Sequence, residues 1–141
     1  VIGGDGDDRV VSVGTRLVFN GGAGDDEALG SSEHDVLSGG LGFDVLDGRA
    51  FADTLNGNED ADELSGGIGN DTINGGDGPD VIVALHGTDG ILGGAGADDI
   101  TGGPGTDTID GGAGAFGGGQ QVIEDRAVDL EVHGTVEEEL S

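Results

Sequence analysis

Two consecutive nine-residue segments decide the fold of this chain: Gly66-Gly67-Ile68-Gly69-Asn70-Asp71-Thr72-Ile73-Asn74 and Gly75-Gly76-Asp77-Gly78-Pro79-Asp80-Val81-Ile82-Val83. Both read Gly-Gly-x-Gly-x-Asp-x-U-x, where U is an apolar residue. Self-similarity at a fixed period is typical of repeat architectures. The repeat therefore has to be followed along the chain before any single element is assigned.

The same nine-residue frame runs from Gly3 through more than a hundred residues without an insertion. Its first position is Gly except at Ser12 and Ala84, and its eighth position is apolar from Val10 to Ile109. The sixth position is Asp except at Leu17 and Phe116. A register kept over this length predicts a solenoid in which every frame makes the same structural unit.

Each frame is predicted to form a six-residue loop and a three-residue strand whose middle side chain points inward, because side chains alternate between the faces of a strand. Two frames then complete one coil of eighteen residues. This arrangement stacks the sixth-position aspartates along two opposite edges. One edge carries Asp8, Asp26, Asp44, Asp62, Asp80 and Asp98, and the other carries Asp35, Asp53, Asp71, Asp89 and Asp107.

Composition restricts the function. The 141 residues include 34 Gly, 30 Asp or Glu, 4 Arg and no Lys, with a formal net charge of −26. This charge excludes nucleic-acid binding, which needs cations along a phosphate track. No apolar run approaches the twenty residues of a transmembrane helix, and there is no Cys for a disulfide or a thiolate metal site. High charge with little apolar area predicts disorder unless cations neutralise the chain.

Stacked carboxylates one strand spacing apart repel each other unless a cation lies between them. Calcium suits such a site, because it takes six to eight oxygen ligands from carboxylates and backbone carbonyls in flexible geometry. The eleven sixth-position aspartates are therefore the predicted metal ligands. Neighbouring pairs along the two edges give at most about nine calcium sites, five on one edge and four on the other.

The frame resembles the RTX (haemolysin-type) family of calcium-binding nonapeptide repeats. The resemblance covers roughly residues 1–119 and implies an all-β, right-handed parallel β-roll with two repeats per coil. It also implies aspartate side chains and backbone carbonyls from successive loops as calcium ligands. The family further implies a secreted, extracellular protein exported by a type I secretion machinery, as part of a larger polypeptide.

The two edges differ in sequence, which predicts an asymmetric roll. Loops on the Asp8 edge keep Gly-Gly-x-Gly except at residues 57–62, whereas loops on the other edge are degenerate. Thr15, Glu33 and Phe51 replace the fourth-position Gly there and are expected to disfavour a left-handed backbone. The calcium row on the Asp8 edge should be nearly continuous. The opposite row should be partial and strongest between Asp71 and Asp107.

The chain divides into a predicted roll over residues 1–119 and a C-terminal segment over residues 120–141. Phe116 is expected to cap the last coil, Gly117–Gly119 to form a linker, and the alternation in residues 122–132 predicts one or two strands. A cap, a strand pair, the start of a further segment and an export signal all remain open for residues 120–141. Val1-Ile2 occupy the end of an earlier repeat, so a longer protein is expected.

Three other functions find little support in the sequence. The segment lacks catalytic motifs, so it is predicted to be no enzyme. The family resemblance leaves open the alternative that it is a non-catalytic fragment of a secreted protease, lipase, epimerase or cytolysin. An adhesive or ice-binding solenoid is weakly indicated by Thr54, Thr72 and Thr108, whose row Gly90 interrupts. The G-x-G-x-x-G match at residues 112–117 lacks the helix that a dinucleotide site requires.

Overall fold

The computed structural model describes residues 1–113, 121–123 and 131–133, and every element in these ranges is a β-strand. The strands are β1 (Ile2–Asp5), β2 (Arg9–Val11), β3 (Val18–Ala23), β4 (Glu27–Leu29), β5 (Val36–Leu41), β6 (Val45–Asp47), β7 (Thr54–Glu59), β8 (Glu63–Ile68), β9 (Thr72–Asp77), β10 (Val81–His86), β11 (Gly90–Ala95), β12 (Asp99–Thr101), β13 (Thr108–Asp110), β14 (Gln121–Ile123) and β15 (Glu131–His133). A search of these same ranges finds no helix that could cross a membrane.

Successive strands alternate between two parallel sheets. The odd-numbered strands β1 to β15 form an eight-stranded sheet, and the even-numbered strands β2 to β14 form a seven-stranded sheet, each in chain order. The register between neighbours is eighteen residues, so that Leu64, Ile82 and Ile100 lie side by side. The predicted all-β parallel roll with two repeats per coil is confirmed.

The core is the row of eighth-position side chains that face each other between the sheets. The fully buried members include Leu37, Leu46, Leu55, Leu64, Ile73, Ile82, Ile100 and Ile109. Ala28 has the smallest side chain in this row, and Val10 in the first coil is only partly buried. One aliphatic side chain per strand therefore supplies nearly the whole apolar core, as the frame predicted.

The strands are longer than predicted. Seven of them run for six residues, adding the first three loop positions to the predicted triplet. In β8, for example, Leu64 and Gly66 are both buried, so the inward alternation continues past the triplet. The three-residue prediction was wrong because a glycine gives no apolar signal in sequence, yet its backbone continues the hydrogen-bonded ladder. The strands before loops 12–17, 30–35 and 48–53 do stop after three residues.

Two short strands continue the sheets beyond residue 113. β14 pairs in parallel with β12, setting Val122 beside Ile100, and β15 pairs with β13, setting Val132 beside Ile109. These strands agree with the alternation seen in the sequence. Phe116, Gly117–Gly119 and the acidic residues 137–139 lie outside the described residues, so the predicted cap, linker and domain boundary stay predictions.

The single-residue core makes a direct prediction. Leu55→Ala should lower the free energy of unfolding of the calcium-saturated protein by about 2–5 kcal/mol, because Leu55 is fully buried and a cavity would remain. Leu92→Ala is the matched control, since Leu92 is 41% exposed on the outer face of β11. Chemical denaturation of both variants measures the difference. Equal losses would contradict the assigned core.

Candidate metal centre

The aspartates at the sixth frame position close each loop and point into the roll. The same inward alternation that buries the eighth position also buries the sixth, two residues earlier. Asp44 is 0% exposed, and Asp35, Asp62, Asp80 and Asp98 are each 1% exposed. Only Asp8, in the first coil, is not classed as buried. Charged side chains this deeply buried need a partner or a changed protonation state.

One oxygen of each carboxylate is used by a hydrogen-bonded ladder along the edge. The backbone N–H of Asp44 donates to Oδ1 of Asp62 at 2.9 Å, and the N–H of Asp62 donates to Oδ1 of Asp80 at 2.9 Å. The opposite edge repeats this pattern, with the N–H of Asp53 donating to Oδ1 of Asp71 at 2.8 Å. The predicted stacking of the aspartates at eighteen-residue intervals on two edges is therefore confirmed.

The second oxygen of most of these carboxylates is buried without a hydrogen-bond partner. Within the part of the chain that the structure describes, this holds for Oδ2 of Asp8, Asp26, Asp44, Asp53, Asp62, Asp71, Asp80 and Asp89. A buried anionic oxygen that accepts no hydrogen bond is costly, and the cost falls only if a proton or a cation joins it. The row of Oδ2 atoms along each edge is thus the chemically unsatisfied feature of this fold.

The pKa values of these carboxyls respond to that burial. Desolvation raises the pKa of Asp53 and of Asp62 from 3.8 to about 7, and that of Asp44, Asp80 and Asp89 to about 6. Backbone hydrogen bonds to the carboxylates oppose this shift. Neighbouring aspartates on the same edge add to it by repulsion, for example Asp44 and Asp80 acting on Asp62. Without a cation, these carboxyls take up protons between about pH 7 and pH 6, far above the usual range of an aspartate.

The first-position glycine is what makes room for each carboxylate. A Cβ on Gly66 would lie 2.5 Å from Oδ2 of Asp71 and 2.9 Å from the carbonyl oxygen of Ala84 in the next coil. Both distances are shorter than Cβ contacts found in proteins. Where Leu17 replaces the aspartate, Ser12 also replaces the glycine, whereas Ala84 replaces the glycine in a loop that keeps a buried Asp89. Gly and Asp five residues apart therefore pack as one unit in the other loops, and loop 84–89 accommodates a Cβ at the first position.

Glycine is also needed at the second and fourth positions, where the loop backbone is left-handed. On the Asp8 edge this pair of positive φ angles occurs in every loop from Gly4 and Gly6 to Gly94 and Gly96. In loop 57–62 the pair is Asn58 (φ 89°) and Asp60 (φ 74°), residue types that tolerate this region. The Asp8 edge is therefore uniform in backbone conformation despite its one degenerate sequence.

The opposite edge is partly degenerate in conformation, as its sequence predicted, but not at Phe51. Thr15 and Glu33 avoid the left-handed region, whereas Arg49 (φ 75°) and Phe51 (φ 77°) adopt it. The expectation for Phe51 was wrong because the next coil holds the loop. The N–H of Phe51 donates to the carbonyl of Ile68 at 2.7 Å, and the N–H of Ile68 donates to that of Arg49 at 2.9 Å. These bonds offset a local cost of roughly 1–2 kcal/mol per residue.

The chemistry of the donor set fits a hard cation. Among the described residues, no three Asp, Glu or His side chains converge on one point. A metal at these edges would therefore take backbone carbonyl oxygens in addition to one or two aspartates. Calcium accepts such mixed oxygen sets, whereas zinc prefers a closed set of nitrogen or sulfur side chains. Unpartnered buried carboxylate oxygens beside backbone carbonyls are consistent with this demand.

The fold and the two aspartate rows define a parallel β-solenoid with an oxygen-rich, anionic lining on each edge. Comparison with known families gives the class. Residues 18–46, 47–82 and 86–115 match the RTX calcium-binding nonapeptide repeat (four copies), so this chain belongs to that family and is a calcium-binding repeat module. No curated protein and no solved structure shows a significant match to the chain.

Two features of the site were not found by reasoning from the sequence. The packing of the first-position Gly against the sixth-position Asp was detectable as the joint loss of both at Ser12 and Leu17. The different hydrogen bonding of Asp35, which accepts from Ser31, had no recognisable signal. Which aspartates bind calcium remains a prediction.

The Gly–Asp packing unit predicts a position-specific effect of adding a methyl group. Gly66→Ala should destabilise the calcium-saturated roll by about 1–3 kcal/mol, because the added Cβ clashes with Asp71 and with backbone. Gly90→Ala is the control, since a Cβ there meets nothing closer than 4.0 Å. Thermal unfolding in excess calcium compares the two, and a loss as large for Gly90→Ala would contradict the packing unit.

The raised pKa values predict that acid stabilises the metal-free roll. Because Asp53 and Asp62 titrate near 7 in the fold and near 3.8 in an unfolded chain, their contribution is complete below about pH 4 and is lost as the pH rises through 6 to 7. Far-UV circular dichroism in excess chelator between pH 3.5 and 8 measures this. β-structure gained as the pH falls from 7 to 5 reports the buried rows, because the raised pKa values of Asp53 and Asp62 lie at the upper end of this interval. A metal-free chain more structured at pH 8 than at pH 5 would contradict the prediction.

Proposed function

We propose that this chain is a module that folds when calcium binds, with the sixth-position aspartates as the side-chain ligands. The observation that carries the proposal is the row of buried carboxylate oxygens with no hydrogen-bond partner among the described residues. Each such oxygen opposes folding of the metal-free chain at neutral pH. A divalent cation supplies the missing positive charge at each position.

The proposed ligands come from two successive loops on one edge. On the first edge they are Asp8, Asp26, Asp44, Asp62, Asp80 and Asp98, and on the second they are Asp35, Asp53, Asp71, Asp89 and Asp107. Carbonyl oxygens of the intervening loop backbone complete the set. Nine neighbouring pairs would hold up to about nine ions, and their 18 positive charges would reduce the net charge from −26 to about −8.

This linkage explains how one sequence can serve two compartments. Extracellular calcium modules bind with dissociation constants of about 10⁻⁴–10⁻³ M, so a cytosol poor in free calcium would leave the chain unfolded by its own repulsion. Outside the cell, the free energy of calcium binding becomes free energy of folding. We therefore propose an extracellular role after export through a type I machinery, as a non-catalytic part of a larger polypeptide.

Removing calcium tests the proposal directly. In millimolar calcium at pH 7.5 the chain should give a β-sheet circular dichroism spectrum, and excess chelator should abolish it reversibly. Magnesium at the same concentration should not substitute, because it demands near-ideal octahedral geometry and gives up its water reluctantly. A β-sheet spectrum that chelation leaves unchanged would refute calcium-dependent folding.

Individual ligands are tested by replacing one carboxylate with its amide. Asp62→Asn should raise the calcium concentration at the folding midpoint severalfold, because Asp62 is 1% exposed and its carboxylate has one oxygen bonded to the N–H of Asp44 and the other buried without a partner among the described residues. Asp99→Asn removes the same charge from an exposed position on β12 and should leave the midpoint nearly unchanged. Calcium titrations followed by circular dichroism compare them. The same midpoint in both variants would refute the ligand assignment for Asp62.

A further inference from the structure

We propose that one corner of the roll, loops 12–17 and 30–35 on the second edge, is closed by hydrogen bonds of the protein itself and binds no cation. Ser31 takes the place of the cation at Asp35, so calcium binding on this edge begins at Asp53. The inference rests on the proposed function and revises it at one point: it removes Asp35 from the proposed ligands, so that the Asp35–Asp53 pair holds no ion and at most about eight of the nine proposed sites remain.

Asp35 is satisfied where its neighbours on the same edge are not. Its Oδ1 accepts the N–H of Leu17 at 2.5 Å, and its Oδ2 accepts the N–H of Ser31 at 2.5 Å and faces the Ser31 hydroxyl at 3.3 Å. In Asp53, Asp71 and Asp89 only Oδ1 has a partner within the described ranges, and in each case it is the backbone N–H of the preceding aspartate on this edge. Asp35 and Ser31 are both buried, at 1% and 4% exposure. The buried charge of Asp35 thus already has the donors that the other carboxylates lack.

The backbone of loop 30–35 explains this difference. In loops of the family pattern, the second and fourth positions are left-handed, as at Gly67 and Gly69. Ser31 and Glu33 occupy these positions and stay outside that region, as expected for residues with a Cβ. The chain therefore follows another course, and this course directs the N–H of Ser31 at the carboxylate instead of leaving the space to a cation.

Loop 12–17, which precedes loop 30–35 on this edge, lacks the second aspartate that a site between the two loops would need. Leu17 stands where the partner aspartate of Asp35 would be and is itself buried, at 6% exposure. Loop 12–17 also closes on itself, since the Ser12 hydroxyl donates to the carbonyl of Thr15 at 2.6 Å. A cation between these two loops would meet one leucine and one carboxylate that is already hydrogen-bonded. Together they offer a single carboxylate, and both of its oxygens already accept hydrogen bonds.

The following loop is joined to this corner by side chains. Nδ1 of His34 lies 2.8 Å from the carbonyl oxygen of Ala52, and the rings of His34 and Phe51 meet edge to face at 5.8 Å between centroids. These contacts link loop 30–35 to loop 48–53, where the first unsatisfied carboxylate of this edge, Asp53, is found. The corner therefore holds two adjacent coils together by contacts that calcium removal leaves in place.

Restoring the family pattern in loop 30–35 tests the proposal. The double variant Ser31→Gly/Glu33→Gly reads Gly-Gly-Ser-Gly-His-Asp, and it should bind one more calcium ion per chain than the wild type. The two glycines let the loop return to the left-handed course, which turns the N–H of residue 31 away from Oδ2 of Asp35 and leaves the Asp35–Asp53 pair to a cation. Ser32→Gly is the matched control in the same loop and should leave the number of ions unchanged. Equilibrium dialysis with radioactive calcium, or calorimetric titration, counts the ions. An unchanged number in the folded double variant would overturn the inference.

A second measurement keeps the test decisive if the double variant does not fold. Crystals of the wild-type chain soaked in a lanthanide should show anomalous peaks beside Asp71 and Asp89 but none between Leu17, Asp35 and Asp53. A peak touching Asp35 would overturn the inference while leaving calcium binding intact. A wild-type chain that binds no calcium or lanthanide at all would instead overturn the proposed function.

Discussion

The packing of one buried aspartate against one glycine is the interaction on which each coil depends. The carboxylate occupies the space that a Cβ of the glycine would fill, and its Oδ1 holds the backbone of the coil before it. The aliphatic core contributes a single side chain per strand, which is too little to fix loop geometry. The register of the coils is therefore set at the edges, by aspartate, and only supported by the core.

This interaction carries an unresolved charge, and under the proposed function that charge makes folding depend on a bound ion. One carboxylate oxygen of such an aspartate accepts a hydrogen bond in the ladder, and the other is buried without a partner among the described residues. Burial raises the pKa of the carboxyl to about 6 or 7 at the most affected positions. Proton and calcium are alternative solutions to the same electrostatic problem. The excess of acidic residues alone would indicate a disordered chain. Under the proposed function the chain is disordered only when neither protons nor calcium ions neutralise the buried carboxylates.

The regular part of the molecule could be predicted from the sequence, because a fixed frame repeats one local solution. The two sheets, the inward leucines and isoleucines, and the two aspartate rows all follow from it. The departures could not, since each depends on neighbouring coils. Phe51 adopts a left-handed backbone only because Ile68 hydrogen-bonds to Phe51 and to Arg49 from the next coil. Ser31 donates to a carboxylate only because loop 30–35 is displaced from the family course. Neither of these contacts can be recognised from the residues next to Phe51 or Ser31 in the sequence.

Because the two edges differ, the number of unsatisfied buried carboxylates per coil changes along the roll. In a solenoid each coil is stabilised mainly by its neighbours, so folding propagates from the coils whose formation costs the least free energy. The first edge offers the same unsatisfied site in loop after loop, whereas the second edge begins with a leucine and a hydrogen-bonded carboxylate at Asp35. The salt bridge between Arg9 and Glu27, 2.6 Å long, joins the two neighbouring coils at the same end of the molecule. If calcium is removed, the coils at this end keep the hydrogen bonds of Asp35 and this exposed salt bridge, whereas the coils that hold Asp53, Asp71 and Asp89 are left with unsatisfied carboxylates on both edges.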